Sequence, residues 1–219
     1  MNNGQPSNSA LTAAAARAAH LVVDGEPVIF ADPLAASLLG ERAGELLSYH
    51  ERHGTHPVLA GARTQVTCRS RYTEDAVARA IDRGVTQYVI LGAGLDSFAY
   101  RSGLARRGRV FEVDHPVTQD WKRQALAGAG ISVPDSVAFV PADLAASGSL
   151  PGPLARAGFD NAAPALVSWL GVTMYLTRDA VPPRAMAISI LAATGRAKNS
   201  ALAAASSSSS PAGTPCPVT

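Results

Sequence analysis

The sequence predicts an α/β fold built on a doubly wound, mostly parallel sheet. Three observations predict it. Apolar runs of strand length recur at Gln87–Leu91 (QYVIL), Arg109–Asp114 (RVFEVD), residues 137–140 and Ala165–Trp169. Helical patterns separate them. The first run is followed at once by Gly-Ala-Gly. Strands alternating with helices feed right-handed βαβ units, which pair their strands in parallel.

The elements follow in order. Residues 12–23 keep apolar positions at helical spacing, with Thr12 as a capping residue and Asp24-Gly25 as the stop. Ile29, Phe30, Leu34, Ala35, Leu38 and Leu39 mark a second, short element, interrupted by Asp32-Pro33 as a helix beginning at proline would be. Residues 48–57 read as a loop. Over 64–83, Tyr72, Ala76, Val77, Ala80 and Ile81 recur at three and four residues and describe one apolar stripe on a helix, which Gly84 ends. QYVIL is β-branched and apolar throughout, the pattern of a strand covered on both faces. A helix over 116–129 joins the second and third strands, and the fourth ends near Trp169.

Beyond Ala180 the composition changes to Pro182-Pro183, an Ala-rich segment and the tail ALAAASSSSSPAGTPCPVT. The expected organisation is a disordered 1–11, one incomplete domain over 12–180, and a divergent Ala/Ser/Pro-rich 181–219, mostly disordered from about Asn199. Whether 185–193 adds a helix or a strand stays open.

Composition sets the remaining bounds. A chain of 219 residues with 47% apolar and 16% charged residues can bury one real core. The formal charge is +2, and residues 180–219 hold Arg184, Arg196 and Lys198 without a carboxylate, so the rest is close to neutral. Such a body has no field to steer it to nucleic acid. Cys68 and Cys216 are too few and too far apart for a disulfide framework or a metal cluster, as expected of a cytoplasmic protein. The opening MNNGQPSNS lacks the basic and apolar parts of a signal peptide, and the longest charge-free run, 161–177, is too short and polar to span a bilayer. His50, His53 and His56 recur every three residues but lack a supporting Cys or carboxylate cluster, so a solvated loop is expected there and no metal.

In an open parallel sheet, ligands bind at the carboxyl ends of the strands where the strand order reverses. LGAGLDS places Gly92 and Gly94 at such an end, where missing Cβ atoms let a ligand approach the backbone. A dinucleotide fold wants a third glycine where Ser97 stands, to bring pyrophosphate and helix together; S-adenosylmethionine has no phosphate and makes no such demand. Glu112 and Asp114 close the second strand, and Asp114, twenty residues past Gly94, suits two ribose hydroxyls. Asp143, after the third strand, suits an adenine amino group.

The strings ILGAGLDSFAYR, FEVDHP, PADL and SWLGVTMYLT, with RAAHLVVDGEPVIFADPLA upstream, resemble the class I S-adenosylmethionine-dependent methyltransferases of the leucine carboxyl methyltransferase type, especially their actinobacterial branch. The resemblance covers about 12–180 and implies a Rossmann-like methyltransferase sheet with S-adenosylmethionine as cofactor. It implies that an arginine in CRSRYTED pairs with the methionyl carboxylate, Arg69 as the better match and Arg71 as the fallback. Gly92, Ala93 and Gly94 would face the cofactor, Asp96 would hold the loop or the methionyl ammonium, Asp114 the ribose, and Asp143 with Leu144 the adenine. Leu95 is expected to pack rather than bind. Leu170 stands before Gly171 where family members often carry a glutamate. Trp169, Met174 and Tyr175 are expected in a substrate pocket or in ordinary packing.

The resemblance points to O-methyl transfer onto a small-molecule or peptide carboxylate or a hydroxyl, with no general base nominated and the acceptor and oligomeric state left open. Two other readings compete: a nicotinamide-dependent oxidoreductase on the same sheet, and an inactive remnant. The second arises because the match fades after about Val181, so the family's last strands are expected to be missing through truncation or frameshift, leaving an exposed sheet edge prone to aggregation.

Overall fold

A computed structural model describes residues 7–146 and 150–172, with the backbone of 190–193. Four parallel strands, β1 (Gln87–Leu91), β2 (Arg109–Asp114), β3 (Val137–Pro141) and β4 (Ala165–Trp169), form the sheet the apolar runs predict. A fifth, β5 (Ile190–Ala193), lies antiparallel on β4, with Ala165 opposite Ala193. The spatial order is β3-β2-β1-β4-β5. Gln87 is in register with both Arg109 and Ala165, so β1 sits between β2 and β4. The chain builds outward from β1 to β3, then returns to β1's other side; the reversal point is the carboxyl end of β1 and β4, where ligands bind in this architecture.

Every residue of β1 is buried because both faces are covered. Tyr88 and Ile90 pack with Val77, Ala80, Phe98 and Leu166; Val89 and Leu91 pack on the other face with Phe111, Val113, Val140 and Phe159. The second face is covered by α7 (Pro151–Arg156), whose Leu154 is buried there.

The helices precede and interrupt the strands. α1 (Asn8–Val23) starts four residues before Thr12, because Ser7 Oγ caps it by accepting from the Ala10 amide at 3.2 Å. The disorder expected for 1–11 is thereby corrected for residues 7–11; Thr12 instead donates its hydroxyl to the Asn8 carbonyl inside the helix, at 2.8 Å. α2 (Ala35–Leu38) is one turn just after Asp32-Pro33. α3 (Ala43–His53) and the 26-residue α4 (Pro57–Asp82) correct the loop expected at 48–57, of which only 54–56 lie outside a helix. The helical signal was hidden because polar residues face inward. His50 is buried and its Nδ1 lies 3.4 Å from Arg63 Nη1, while Arg63 grips Asp24 at 2.7 and 2.9 Å. His53 lies against the Tyr49 ring at 5.0 Å with the planes tilted 55°, and His56 Nδ1 accepts from the Val58 amide at 3.3 Å, capping α4. Of the three, only His50 joins two helices; His53 lies exposed on α3 and His56 exposed in the 54–56 connection, so the expected solvated loop is corrected for 48–53 and 57 and holds at His56. α6 (Pro116–Gly128) lies where the sequence places it.

Among the described residues no helix is long and apolar enough to cross a membrane, and no group of three or more His, Cys, Asp and Glu side chains assembles to hold a metal. The rest of the 181–219 segment, apart from β5, lies outside the described residues.

Candidate functional site

The loop leaving β1 is shaped by two glycines in the left-handed region, Gly92 at φ +66° and Gly94 at φ +47°. A Cβ on Gly92 would run into the Val172 side chain, and one on Gly94 would meet Ala10 Cβ at 3.1 Å. Only glycine fits both the turn and its close neighbours. The loop is tied to β2, since the amides of Gly92 and Ala93 both donate to the Val113 carbonyl, at 2.8 and 3.1 Å.

Asp114 ends β2 against that loop. Its Oδ2 accepts from the Gly94 amide at 2.6 Å and its Oδ1 from the His115 amide at 2.7 Å. A carboxylate has about four lone-pair sites. Two are used by backbone, and two remain for a pair of hydroxyls. Burial raises the Asp114 pKa above the ordinary 3.8, against the lowering effect of those amides. Glu112, two residues earlier, belongs to the core instead: it accepts from Lys122 Nζ at 2.7 Å and from Tyr100 Oη at 2.9 Å, with both ion-pair side chains 1% exposed.

Asp96 does not point away from the loop. Its Oδ1 accepts from the Phe98 amide at 2.8 Å, at the start of α5 (Phe98–Arg101), a single helical turn. Ser97 is buried, and its Oγ accepts from Arg101 Nε at 2.9 Å. Leu95 packs with Leu11, Ala14, Ala15 and Leu39, as a packing residue should.

Arg69 and Arg71 lie two residues apart on α4 and separate cleanly. Arg71 is exposed and pairs with Asp75 one turn on, at 3.0 Å. Arg69 is half-buried, and among the described residues no carboxylate pairs with it. Its guanidinium faces Gly171, where an added Cβ would lie 3.1 Å from Nη1, so the glycine after β4 makes room for this cation. Burial, then the charge of Arg17, lowers the Arg69 pKa from its usual value. A buried cation beside another cation is a place for an anion. Gly171 and Gly92 both meet this corner, the second through Val172.

At the far end of the sheet Asp143 follows β3 and accepts from the Ala145 amide at 2.9 Å, with Leu144 packed on the second core face. Trp169 ends β4 half-buried on the same face; its indole Nε1 is buried with no hydrogen-bond partner among the described residues. Met174 and Tyr175 lie outside the described residues.

One set of residues was not legible as functional in the sequence. Arg17, on α1, is buried, with Nε 2.7 Å from Asp32 Oδ2 and Nη2 2.7 Å from the Leu95 carbonyl. Arg101 pairs with Glu74 and lies 3.6 Å from Asp32 Oδ1. The available signal was a charged residue inside each of two otherwise apolar segments, which marks buried pairing.

Comparison with known proteins identifies the family. The family model described as "Leucine carboxyl methyltransferase" matches residues 10–183. A Bacillus subtilis protein named "Putative S-adenosyl-L-methionine-dependent methyltransferase YktD" is 35% identical over 200 residues, covering 82% of this chain and 65% of that protein. Relatives with the same description from Mycobacterium tuberculosis and Mycobacterium avium are each 40% identical, over 53% and 51% of this chain and 37% and 36% of their own lengths. The chain thus spans about two thirds of one of these relatives and just over a third of the others. With the glycine turn, the strand-end acid and the motif order all falling within the matched region, the chain belongs to the leucine carboxyl methyltransferase family.

Proposed function

We propose that the carboxyl end of β1, β2 and β4 binds S-adenosylmethionine and that the chain transfers its methyl group to an oxygen nucleophile. The observation that carries this reading is the Asp96 carboxylate on the Phe98 amide. A dinucleotide places its pyrophosphate on the amides of the helix that follows the glycine turn. Here that helix is one turn long, and an anion already sits at its start. Phosphate would be repelled there, whereas an ammonium or sulfonium is attracted. Ser97, filling the place of a third glycine with a buried side chain, supports the same choice.

The residues present fit the cofactor along its length. Arg69 supplies a planar cation for the methionyl carboxylate. Asp96 faces the amino end, the free lone pairs of Asp114 take the ribose hydroxyls, and Asp143 and Leu144 receive the adenine. When bound, the cofactor supplies an activated methyl on a sulfonium, which leaves as a neutral thioether. The chain's task is then alignment and exclusion of water rather than proton transfer. The buried phenols near the loop, Tyr88 and Tyr100, are pushed up by burial and offer no base. An acceptor already ionised, a carboxylate, needs no base, whereas a hydroxyl acceptor would call for one from elsewhere in the chain.

A thermal-shift titration with S-adenosylhomocysteine and with NAD tests the reading. Stabilisation by the first alone is expected; stabilisation by NAD alone refutes it. Transfer of a radiolabelled methyl group to carboxylate-bearing acceptors then tests catalysis.

A further inference from the structure

We infer that Asp32 is a positioning residue for the cofactor loop, acting through two arginines that grip the loop on either side of Asp96. This rests on the cofactor reading above and assigns a role to a residue that touches no part of the cofactor.

The geometry carries the inference. Asp32 has a side-chain exposure of 0%, a burial a carboxylate tolerates only when paired. One oxygen, Oδ2, accepts from Arg17 Nε at 2.7 Å; the other, Oδ1, faces Arg101 Nε at 3.6 Å and accepts from the Leu34 amide at 3.2 Å. Each arginine then reaches the loop. Arg17 donates through Nη2 to the Leu95 carbonyl at 2.7 Å, and Arg101 donates through Nε to Ser97 Oγ at 2.9 Å. Leu95 and Ser97 are the neighbours of Asp96 in the chain. The carboxylate proposed to face the amino end of the cofactor is thereby held between two points, both referred to one buried aspartate 64 positions earlier.

Arg101 is fixed further by Glu74 on α4 and by the Phe30 ring, whose centroid lies 4.6 Å from its Cζ. The clamp therefore joins α1, the Phe30–Asp32 segment, α4 and the loop. The same α4 carries Arg69, so the anion-binding cation and the ammonium-facing acid are placed by one connected frame. Asp114 stands outside it. That residue is set by β2 and by the amides of Gly94 and His115. The clamp should accordingly govern the amino-acid end of the cofactor and leave the nucleoside end alone.

The test compares two ligands of the full chain by calorimetry: S-adenosylhomocysteine, and 5′-methylthioadenosine, which shares the nucleoside but lacks the amino-acid portion. Asp32→Asn leaves both guanidiniums without their shared counter-charge, and Ser97→Ala removes one grip with little change in volume. In D32N the affinity for S-adenosylhomocysteine is expected to fall about tenfold while that for 5′-methylthioadenosine stays within about twofold, and S97A should show the same split at smaller size. Asp32→Glu, which restores the charge, should recover part of the ratio. If D32N does not fold, S97A decides. An unchanged ratio of the two affinities in the folded variant, or equal losses for both ligands, overturns the assignment. Wild-type protein that binds neither ligand overturns the cofactor reading itself, a result distinct from either.

Discussion

Replacing Arg69 by methionine separates a binding role from a structural one, because the two predict changes of opposite sign. In the free protein the guanidinium is half-buried, has no carboxylate partner among the described residues, and feels the charge of Arg17. Methionine keeps most of the apolar stem and removes the cation, so the ligand-free protein should melt no lower than wild type. Binding should suffer. A hydrogen-bonded contact between a guanidinium and a carboxylate contributes about 1.5–3 kcal/mol, so the Kd for S-adenosylhomocysteine should rise about 10- to 150-fold. The Kd for 5′-methylthioadenosine, which has no carboxylate, should barely move. Calorimetry with both ligands and a melting curve without ligand give all three quantities. Equal affinity in the variant, or a melting temperature several degrees lower with no change in affinity, would refute the reasoning and return Arg69 to the scaffold.

The remaining predictions address the other groups of the site and its support. Asp114→Asn places an amide nitrogen against either the Gly94 or the His115 donor and removes the charge facing the ribose, so S-adenosylhomocysteine affinity should fall at least about tenfold in a titration. Because burial raises the Asp114 pKa above 3.8, wild-type affinity should weaken on acidification at a pH above that at which an ordinary aspartate titrates, and a binding curve flat to that point would contradict it. Lys122→Met leaves the Glu112 carboxylate buried and unpaired and should cost about 3–5 kcal/mol in denaturant unfolding; a loss below about 1 kcal/mol would show that the pair is dispensable. The corner joining α1, α3 and α4 should be acid-labile. Burial and the Arg63 charge depress the His50 pKa below 6.5, so its contribution is intact above pH 6.5 and is lost as pH falls below it; Asp24, held low chiefly by its Arg63 hydrogen bond, adds a loss below about 3.8. Melting temperatures should therefore decline from pH 6.5 downward, and His50→Gln should flatten that decline between pH 6.5 and 5.

The sheet was legible because its strands are short, apolar and covered on both faces: QYVIL, RVFEVD and ALVSW coincide with β1, β2 and β4 residue for residue. The glycine turn and Asp114 were legible for a related reason, since both sit at strand ends that the apolar runs locate. The helical cover was harder. α3 buries His50 rather than an aliphatic residue, and the start of α4 is fixed by a histidine cap, so hydropathy carries no trace of either. β5 is only Ile-Leu-Ala-Ala, too short to stand out from an alanine-rich tail, and is defined by its pairing with β4. Arg69 could be chosen over Arg71 by resemblance, but the physical distinction, one guanidinium turned inward with no carboxylate partner among the described residues and the other paired on the surface, exists only in three dimensions. The clamp through Asp32 is likewise a long-range fact: Arg17, Asp32 and Arg101 are scattered over eighty-odd residues and meet only when the loop is formed.

A crystal structure of the chain with S-adenosylhomocysteine tests the central claim most directly. The account predicts the ligand carboxylate on the Arg69 guanidinium and both ribose hydroxyls on Asp114, each at about 3 Å. A ligand bound away from these two side chains, or a well-folded crystal form that excludes the ligand at saturating concentration, would contradict it.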